Sequence, residues 1–117
     1  MDQIIIKGLK VFAYHGVNPS ETENGQEFEL DIVIDANLDK ARKSDDINDT
    51  VNYAAVRKTV TRVMTERPYK LIERAADEVA KSILKEFCGI EHVEVLLKKP
   101  NAPMSCEFDY VAVRVRI

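Results

Sequence analysis

Three segments of the sequence carry polar residues that a plain β-sheet domain would not demand, and each lies where a predicted strand or helix begins or ends. They run from Tyr14 to Gln26, from Thr50 to Tyr53 and from Lys98 to Pro103. Their carboxylates, ammonium groups and phenols are the kinds of side chain that move protons in acid–base chemistry. The sequence contains neither a phosphate-cradling glycine loop nor a nucleophile elbow, so the commonest nucleotide-binding and hydrolase motifs are absent.

Four residues stand out as candidates for such chemistry, although each also has an ordinary structural explanation. Lys99 shares the parity of Leu97 and would extend a core-facing row, but a lysine at a strand end also reaches water with its long stem. Glu73 lies at the start of a predicted helix, where a carboxylate favours the positive helix end. Tyr53 could be a packing aromatic and Glu21 a solvated loop acid, so the residue types alone leave these alternatives open.

Neither the histidines nor the cysteines form a pattern that predicts a metal site. His15 has no acid or thiol partner at a recognisable ligand spacing, and His92 lies on a strand face that we expect to be exposed. Cys88 and Cys106 each stand alone, which indicates two reduced thiols rather than a disulfide framework or a zinc knuckle.

Length and composition restrict the class of protein. The chain has 117 residues, of which 45% are hydrophobic and 32% charged, and its formal net charge is −3. We expect one soluble globular domain spanning residues 1–117. No segment has the basic density that binding to nucleic acid requires. No apolar run approaches the ~20 residues of a membrane span, and Met1-Asp2-Gln3 does not begin a signal peptide, so we expect a cytoplasmic protein.

The hydrophobic pattern predicts the element order β-β-α-α-β-β. Strict alternation between apolar and polar residues indicates strands with one wet face, whereas spacings of three and four indicate helices. The core-facing parity changes at Gly8, which predicts a bulge in the first strand. The predicted elements are strands over Ile4–Tyr14 and Phe28–Ala36, helices that follow Asn52 and Tyr69, and strands over Val93–Leu97 and Val111–Ile117.

This order predicts an α+β fold, in which a four-stranded antiparallel sheet carries two helices on one face. The opposite face and both edge strands would then be uncovered. Small domains of this kind usually cover such edges by pairing with copies of themselves. We therefore expect an oligomer whose functional site lies where loops or subunits meet.

Motifs at the ends of these elements resemble those of the dihydroneopterin aldolase family, in the same order and spacing over nearly the whole chain. The predicted element order agrees independently with the tunnelling fold of that family. One stretch, Met104 to Tyr110, lacks the compact turn of many relatives. The matching residues are Gly8, Tyr14-His15-Gly16, Glu21, Gly25-Gln26, Thr50-Val51-Asn52-Tyr53, Leu71-Ile72-Glu73 and Lys99-Pro100-Asn101-Ala102-Pro103.

The resemblance implies a lyase of folate biosynthesis that cleaves 7,8-dihydroneopterin into 6-hydroxymethyl-7,8-dihydropterin and glycolaldehyde by a retro-aldol reaction. It also implies that the reaction uses neither a metal nor an organic cofactor. A Schiff base on the enzyme is not required, because the C=N bond of the dihydropterin ring can accept the electron pair that C–C cleavage releases. Related tunnelling-fold enzymes that use zinc carry a set of histidines that this sequence lacks.

The resemblance also assigns roles in proton transfer. Lys99 matches the acid/base lysine of the family, and Tyr53 matches a tyrosine that takes part in proton transfer. Glu21 matches the acid near the hydroxyl groups of the substrate side chain. The chemistry would therefore be carried by proton movement alone.

A second set of residues would hold the pterin ring. Glu73 matches the glutamate that binds the amino group and the adjacent ring N–H, a charge-assisted bidentate contact that is strong and directional. Ile72, Val17 and Val51 would lie around the same ring. Family members build each site between neighbouring subunits, with the tyrosine supplied by the neighbour, and they stack tetramer rings into octamers.

Two alternatives to the aldolase remain open at this point. One keeps the fold and changes the reaction to epimerisation at the 2′ carbon of dihydroneopterin or its triphosphate, through the same retro-aldol intermediate. The other is a catalytically silent oligomeric pterin-binding protein that keeps Glu73 but has lost turnover. The presence of Glu21, Tyr53 and Lys99 together favours an active enzyme.

Overall fold

Four strands form one antiparallel sheet whose spatial order follows their order along the chain, which confirms the predicted α+β architecture. The computed structural model describes residues 1–117. Alternating burial along the strands gives the sheet one face toward the core and one toward water. The strands are β1 (Asp2–Ala13), β2 (Gln26–Ala36), β3 (Ile90–Lys99) and β4 (Val111–Arg116).

The predicted bulge is present in β1. The pairing register between β1 and β2 shifts between Ile6 and Leu9. Gly8 lies within this shift with φ of 72°, a backbone conformation that glycine adopts without strain. Its N–H donates to Asp31 Oδ1 at 2.8 Å. The bulge moves the core-facing parity of β1 from Ile6 to Leu9, so apolar residues face the helices on both sides of it.

Two long helices cover one face of the sheet, as predicted. Helix α3 (Tyr53–Glu66) packs over β1, and α4 (Ile72–Glu86) packs over β3 and β4 and against α3. Asn52 Oδ1 accepts hydrogen bonds from the N–H groups of Ala54 and Ala55, which makes Asn52 the N-cap of α3. The two helices and the inner face of the sheet enclose one core of 22 buried hydrophobic residues. None of the helices combines the length and apolarity needed to span a membrane.

Three short elements were not predicted from the sequence. They are α1 (Pro19–Asn24), α2 (Asp39–Ser44) and a 3₁₀ turn over Ile47–Asp49. Each is shorter than two helical turns, so no hydrophobic periodicity can develop, and local capping bonds hold the segment instead. In the turn, for example, Asp46 accepts a hydrogen bond from the N–H of Asn48. Only α1 contributes to the candidate site.

The outer face of the sheet is less open to water at Lys98 than its parity suggests. Lys98 does face away from Lys99, but its side chain is only 14% exposed. Its ammonium lies 3.2 Å from carboxylate oxygens of Glu29 and Asp31 and 5.1 Å from the centre of the Tyr110 ring. These neighbours surround the charge, so Lys98 is half-buried although it lies on the outer face of the sheet.

Candidate active site

The core-facing rows of the first three strands end in polar side chains at the same end of the sheet. His15 follows β1, Gln26 begins β2 and Lys99 ends β3. Each continues a row of buried apolar residues by the two-residue period of a strand. This end of the protein therefore replaces the apolar core with groups that can donate and accept protons.

Lys99 and Glu21 form an ion pair at this end of the core. The Lys99 ammonium lies 2.5 Å from Glu21 Oε2, and the two side chains are 13% and 6% exposed. Gln26 donates to the same oxygen at 2.9 Å, and the N–H of Asn18 donates to Oε1 at 3.3 Å. Burial raises the pKa of Glu21, but the hydrogen bonds from Lys99, Gln26 and Asn18 outweigh it, so the pKa lies below its ordinary value. Glu21 is therefore ionised at neutral pH.

Helix α1 brings Glu21 to the lysine. Pro19 begins the helix, a position where its missing N–H is not needed, and Glu21 accepts from the N–H of the preceding Asn18. Gly16 lies directly against the Glu21 side chain, and a Cβ at this position would collide with the carboxyl carbon. Glu21, for which the sequence left a solvated loop position open, is therefore a buried carboxylate. Its side chain occupies space that is free because Gly16 has no Cβ.

A second segment, which leads into α4, is bonded to the end of β1. The N–H of Tyr69 donates to His15 Nδ1 at 2.9 Å, and the N–H of Gly16 donates to the Tyr69 carbonyl at 3.0 Å. These bonds bring Val17, which follows Gly16, to the same end of the molecule as the start of α4. The ion pair and the Ile72–Glu73 segment are therefore on either side of His15 and Gly16.

The carboxylate of Glu73 is exposed and free within the chain. It lies in the first turn of α4, whereas Asp77 and Glu78 of the same helix are paired with Lys81 and Arg74. Burial differs among the neighbouring candidates, since Ile72 is 7% exposed and anchors the helix start in the core, while Val17 is 67% exposed. An acid and an apolar side chain therefore face outward here without partners from the same chain.

Val51 and Tyr53 lie at the opposite end of the molecule. Val51 lines a cavity of about 240 Å³ together with Ala36, the last residue of β2. Lys99 lies near the other end of β2, one residue beyond Lys98, which pairs with Glu29 near the beginning of β2. The stretch of β2 between these points measures about 25 Å at ~3.4 Å per residue. Tyr53, which is 65% exposed at the start of α3, therefore cannot reach Lys99 of its own chain.

An open cavity of about 260 Å³ adjoins the ion pair, and Glu21, Gln26, Asn101 and Pro103 are among its lining residues. It connects the Lys99 end of β3 to the segment after Pro100 that the sequence motifs include. The loop from Asn101 to Tyr110 that follows has no regular structure and is mostly exposed. No group of three or more His, Cys, Asp or Glu side chains is arranged to hold a metal ion.

Two contributors to this end of the molecule were not assigned a role from the sequence. His15 is fully buried, and Gln26 binds the Glu21 carboxylate. The alternation Val11, Ala13, His15 was a signal that could have placed the histidine in the core-facing row. The contact from Gln26 had no such signal, because Glu21 reaches it only after α1 has formed.

Comparison with known proteins identifies relatives over nearly the whole chain. A family model described as FolB, dihydroneopterin aldolase, matches residues 4–116. A dihydroneopterin aldolase from Streptomyces coelicolor is 40% identical over 115 residues, covering 98% of this chain and 96% of the relative. The corresponding protein from Bacillus subtilis is 30% identical over 115 residues, with the same coverage of both chains.

A solved structure is similar over the whole fold. The E. coli dihydroneopterin aldolase in complex with neopterin superimposes with a TM-score of 0.91 at 32% sequence identity, covering 100% of this chain and 99% of that chain. The sequence match, the four-stranded sheet and the position of the motifs all lead to the same assignment. This chain belongs to the dihydroneopterin aldolase family.

Proposed function

We propose that the protein cleaves 7,8-dihydroneopterin into 6-hydroxymethyl-7,8-dihydropterin and glycolaldehyde. The observation that carries this proposal is the buried Lys99–Glu21 ion pair, held beside a helix start that presents the free carboxylate of Glu73. The E. coli relative was solved with neopterin bound, which supports a pterin as the ligand. A cytoplasmic location remains our prediction from the sequence.

The reaction needs proton movement more than any other assistance. Loss of a proton from a hydroxyl of the substrate side chain forms the aldehyde as the adjacent C–C bond breaks. The released electron pair moves into the C=N bond of the ring, where N5 takes up a proton. A proton then adds to the side-chain carbon and one leaves N5, which restores the ring. Acid–base groups at both positions are therefore sufficient in principle.

Lys99 and Glu21 are the pair that we assign to these transfers. Three donors around the Glu21 carboxylate keep it ionised, and it holds the Lys99 ammonium in one place at the cavity beside Asn101. Preorganised charges of this kind act more strongly when they are shielded from water. We infer that Glu21 meets the substrate hydroxyls and that Lys99 relays the proton.

Glu73 is the group that we assign to the pterin ring. Its carboxylate can accept hydrogen bonds from the amino group and the adjacent ring N–H at once, which fixes the plane of the ring. Its freedom from partners within the chain supports this role, because an ion pair such as that of Glu78 would compete with the ligand. The exposed Val17 and the helix start at Ile72 would border the ring.

Tyr53 and Val51 must come from a second copy of the chain if they belong to the same site. Within one chain the length of β2 separates them from Lys99, and Tyr53 is mostly exposed. We therefore propose that each site forms between two protomers. The uncovered edges of β1 and β4 support assembly into rings, and the tetramer rings and octamers of the family remain the expected state.

Incubation of the purified protein with 7,8-dihydroneopterin, in the presence of chelator, should yield both products by chromatography and mass spectrometry.

The Lys99→Ala variant should keep measurable pterin affinity while its turnover falls by ~10²–10⁴-fold, the usual contribution of a positioned acid–base group to the rate. Lys98→Met is the matched control, since this neighbouring side chain faces the opposite side of the sheet.

Other outcomes of this experiment would change the assignment. Unaltered turnover in Lys99→Ala would remove the lysine from the chemistry. An isomer of the substrate among the products would add epimerase activity. If the wild-type protein binds a pterin but returns both dihydroneopterin and its triphosphate unchanged, the protein is a silent pterin-binding protein.

Glu73→Gln should weaken pterin binding by about 10–100-fold, because one carboxylate oxygen becomes an amide donor that faces a ligand donor. Calorimetry with 6-hydroxymethyl-7,8-dihydropterin measures this change. Asp77→Asn, one turn further along α4, is the control and should bind like the wild type. Wild-type affinity in Glu73→Gln would contradict the assigned role.

Mixing two inactive variants tests whether the site is shared between protomers. Lys99→Ala and Tyr53→Phe each damage every site alone, but random mixed oligomers would contain about one intact site in four if lysine and tyrosine come from different chains. Activity should therefore rise when the two variants are unfolded together and refolded. Mixtures of either variant with the double variant provide the baseline, and equal activity in all mixtures would contradict a site shared between protomers.

The pH dependence of stability should depend on Glu21. Because its folded-state pKa is lowered, its ionisation contributes stability above the ordinary value of 4.5, and this contribution is lost as the pH falls through the folded pKa. Glu21→Gln should therefore lose less stability than the wild type between pH 6 and pH 3 in urea unfolding. Glu23→Gln, an exposed acid in the same helix, should follow the wild type.

A further inference from the structure

His15 is completely buried, and none of the steps above uses it. Its ring lies between those of Phe28 and Tyr69, with centroid distances of 5.4 and 5.6 Å, and it stacks on the tyrosine at an interplanar angle of 27°. The imidazole is the only buried histidine, since His92 lies exposed on β3. A polar ring in this position needs partners for its two nitrogens.

One ring nitrogen is used as an acceptor. Nδ1 accepts the N–H of Tyr69 at 2.9 Å, so the proton of a neutral ring must be on Nε2. Nε2 is buried and has no hydrogen-bond partner within the chain. The histidine thus connects the end of β1 to the segment between α3 and α4.

The next residue completes a two-point attachment. Gly16 donates its N–H to the carbonyl of the same Tyr69 at 3.0 Å, so the N–H and the C=O of Tyr69 are both held by two adjacent residues that follow β1. The start of α4 has no side-chain cap of its own, because its N-cap residue is Leu71. The placement of Ile72 and Glu73 therefore depends on how Tyr69 is held.

The same dipeptide also borders the ion pair. Gly16 touches the Glu21 carboxyl, which is paired with the Lys99 ammonium. We propose that His15 is a positioning residue, which joins the proton-transfer pair Lys99–Glu21 to the pterin anchor Glu73 by holding the backbone of Tyr69. This inference rests on the proposed function, and it assigns His15 no contact with the substrate.

The environment of His15 is consistent with a ring that stays neutral. Burial lowers its pKa, the Met64 carbonyl opposes this effect, and the positive charge of Lys99 lowers the pKa further. Protonation of Nδ1 would place a donor opposite the Tyr69 donor and would break the attachment. The neutral form with hydrogen on Nε2 is therefore the form that positions the segment.

Two substitutions separate positioning from simple packing. His15→Phe keeps an aromatic ring but leaves the Tyr69 N–H without an acceptor, so the dissociation constant of 6-hydroxymethyl-7,8-dihydropterin should rise about tenfold and turnover should fall. His15→Asn carries an oxygen on Cγ, where the imidazole carries Nδ1, and should restore most of the affinity and turnover. His92→Asn is the control and should behave as the wild type.

Binding and turnover are measured per folded molecule, so a loss of stability alone would leave them unchanged. Wild-type values in His15→Phe, or equal damage in His15→Phe and His15→Asn, would overturn the proposal. If the wild-type protein itself neither binds nor cleaves a pterin, the proposed function fails instead.

Nitrogen NMR tests the attachment directly in protein whose His15 is unchanged. Histidine labelled with ¹⁵N should show an unprotonated Nδ1 and a protonated Nε2 for His15 at neutral pH, with His92→Asn used to distinguish the signals of the two histidines. A proton on Nδ1 would overturn the proposal, because that nitrogen could no longer accept from Tyr69.

Discussion

The buried ion pair between Lys99 and Glu21 is the interaction on which the rest of this end of the molecule depends. A charge that leaves water costs several kcal/mol unless a partner and further hydrogen bonds compensate it. Lys99 faces the core because of its parity in β3, so the chain must bring a carboxylate to it. The short helix α1, the donors from Asn18 and Gln26 and the space left by Gly16 all serve that requirement.

The length of the sheet is the second constraint. An antiparallel strand of ten residues or so carries its two ends to opposite sides of the molecule, and the chain extends 52 Å along its longest axis. The Lys99–Glu21 ion pair and the start of α4, which carries Glu73, lie at one end, while Tyr53 lies at the other. A site that uses all of them requires more than one copy of the chain, which links the proposed catalysis to assembly.

Local patterns in the sequence predicted the main elements because those patterns are the direct result of backbone geometry. The alternation of Phe28, Leu30, Ile32 and Ile34 reflects the two-residue period of a strand with one dry face. The parity change at Gly8 marked the bulge, and Asn52 marked the start of α3. The same parity predicted that Lys99 would face inward.

Contacts between distant segments were beyond such patterns. Nothing in the sequence around Glu21 predicts that it is buried, because the residues that follow it, Thr22 and Glu23, are also polar. The half-burial of Lys98 depends on Glu29, Asp31 and Tyr110, which come from two other segments. The family resemblance named the residues of the proposed site and implied that the tyrosine comes from a neighbouring subunit, but it did not show how one chain brings Glu21 to Lys99.

The sequence by itself determined the strands, the long helices, the inward direction of Lys99 and the family, because each depends on residue type and short-range spacing. Only the tertiary structure decided that Glu21 meets Lys99, that His15 and Gly16 hold Tyr69 and that Tyr53 lies far from all of them. Those facts depend on strand register and on the path of loops, which are set by packing among residues far apart in the chain.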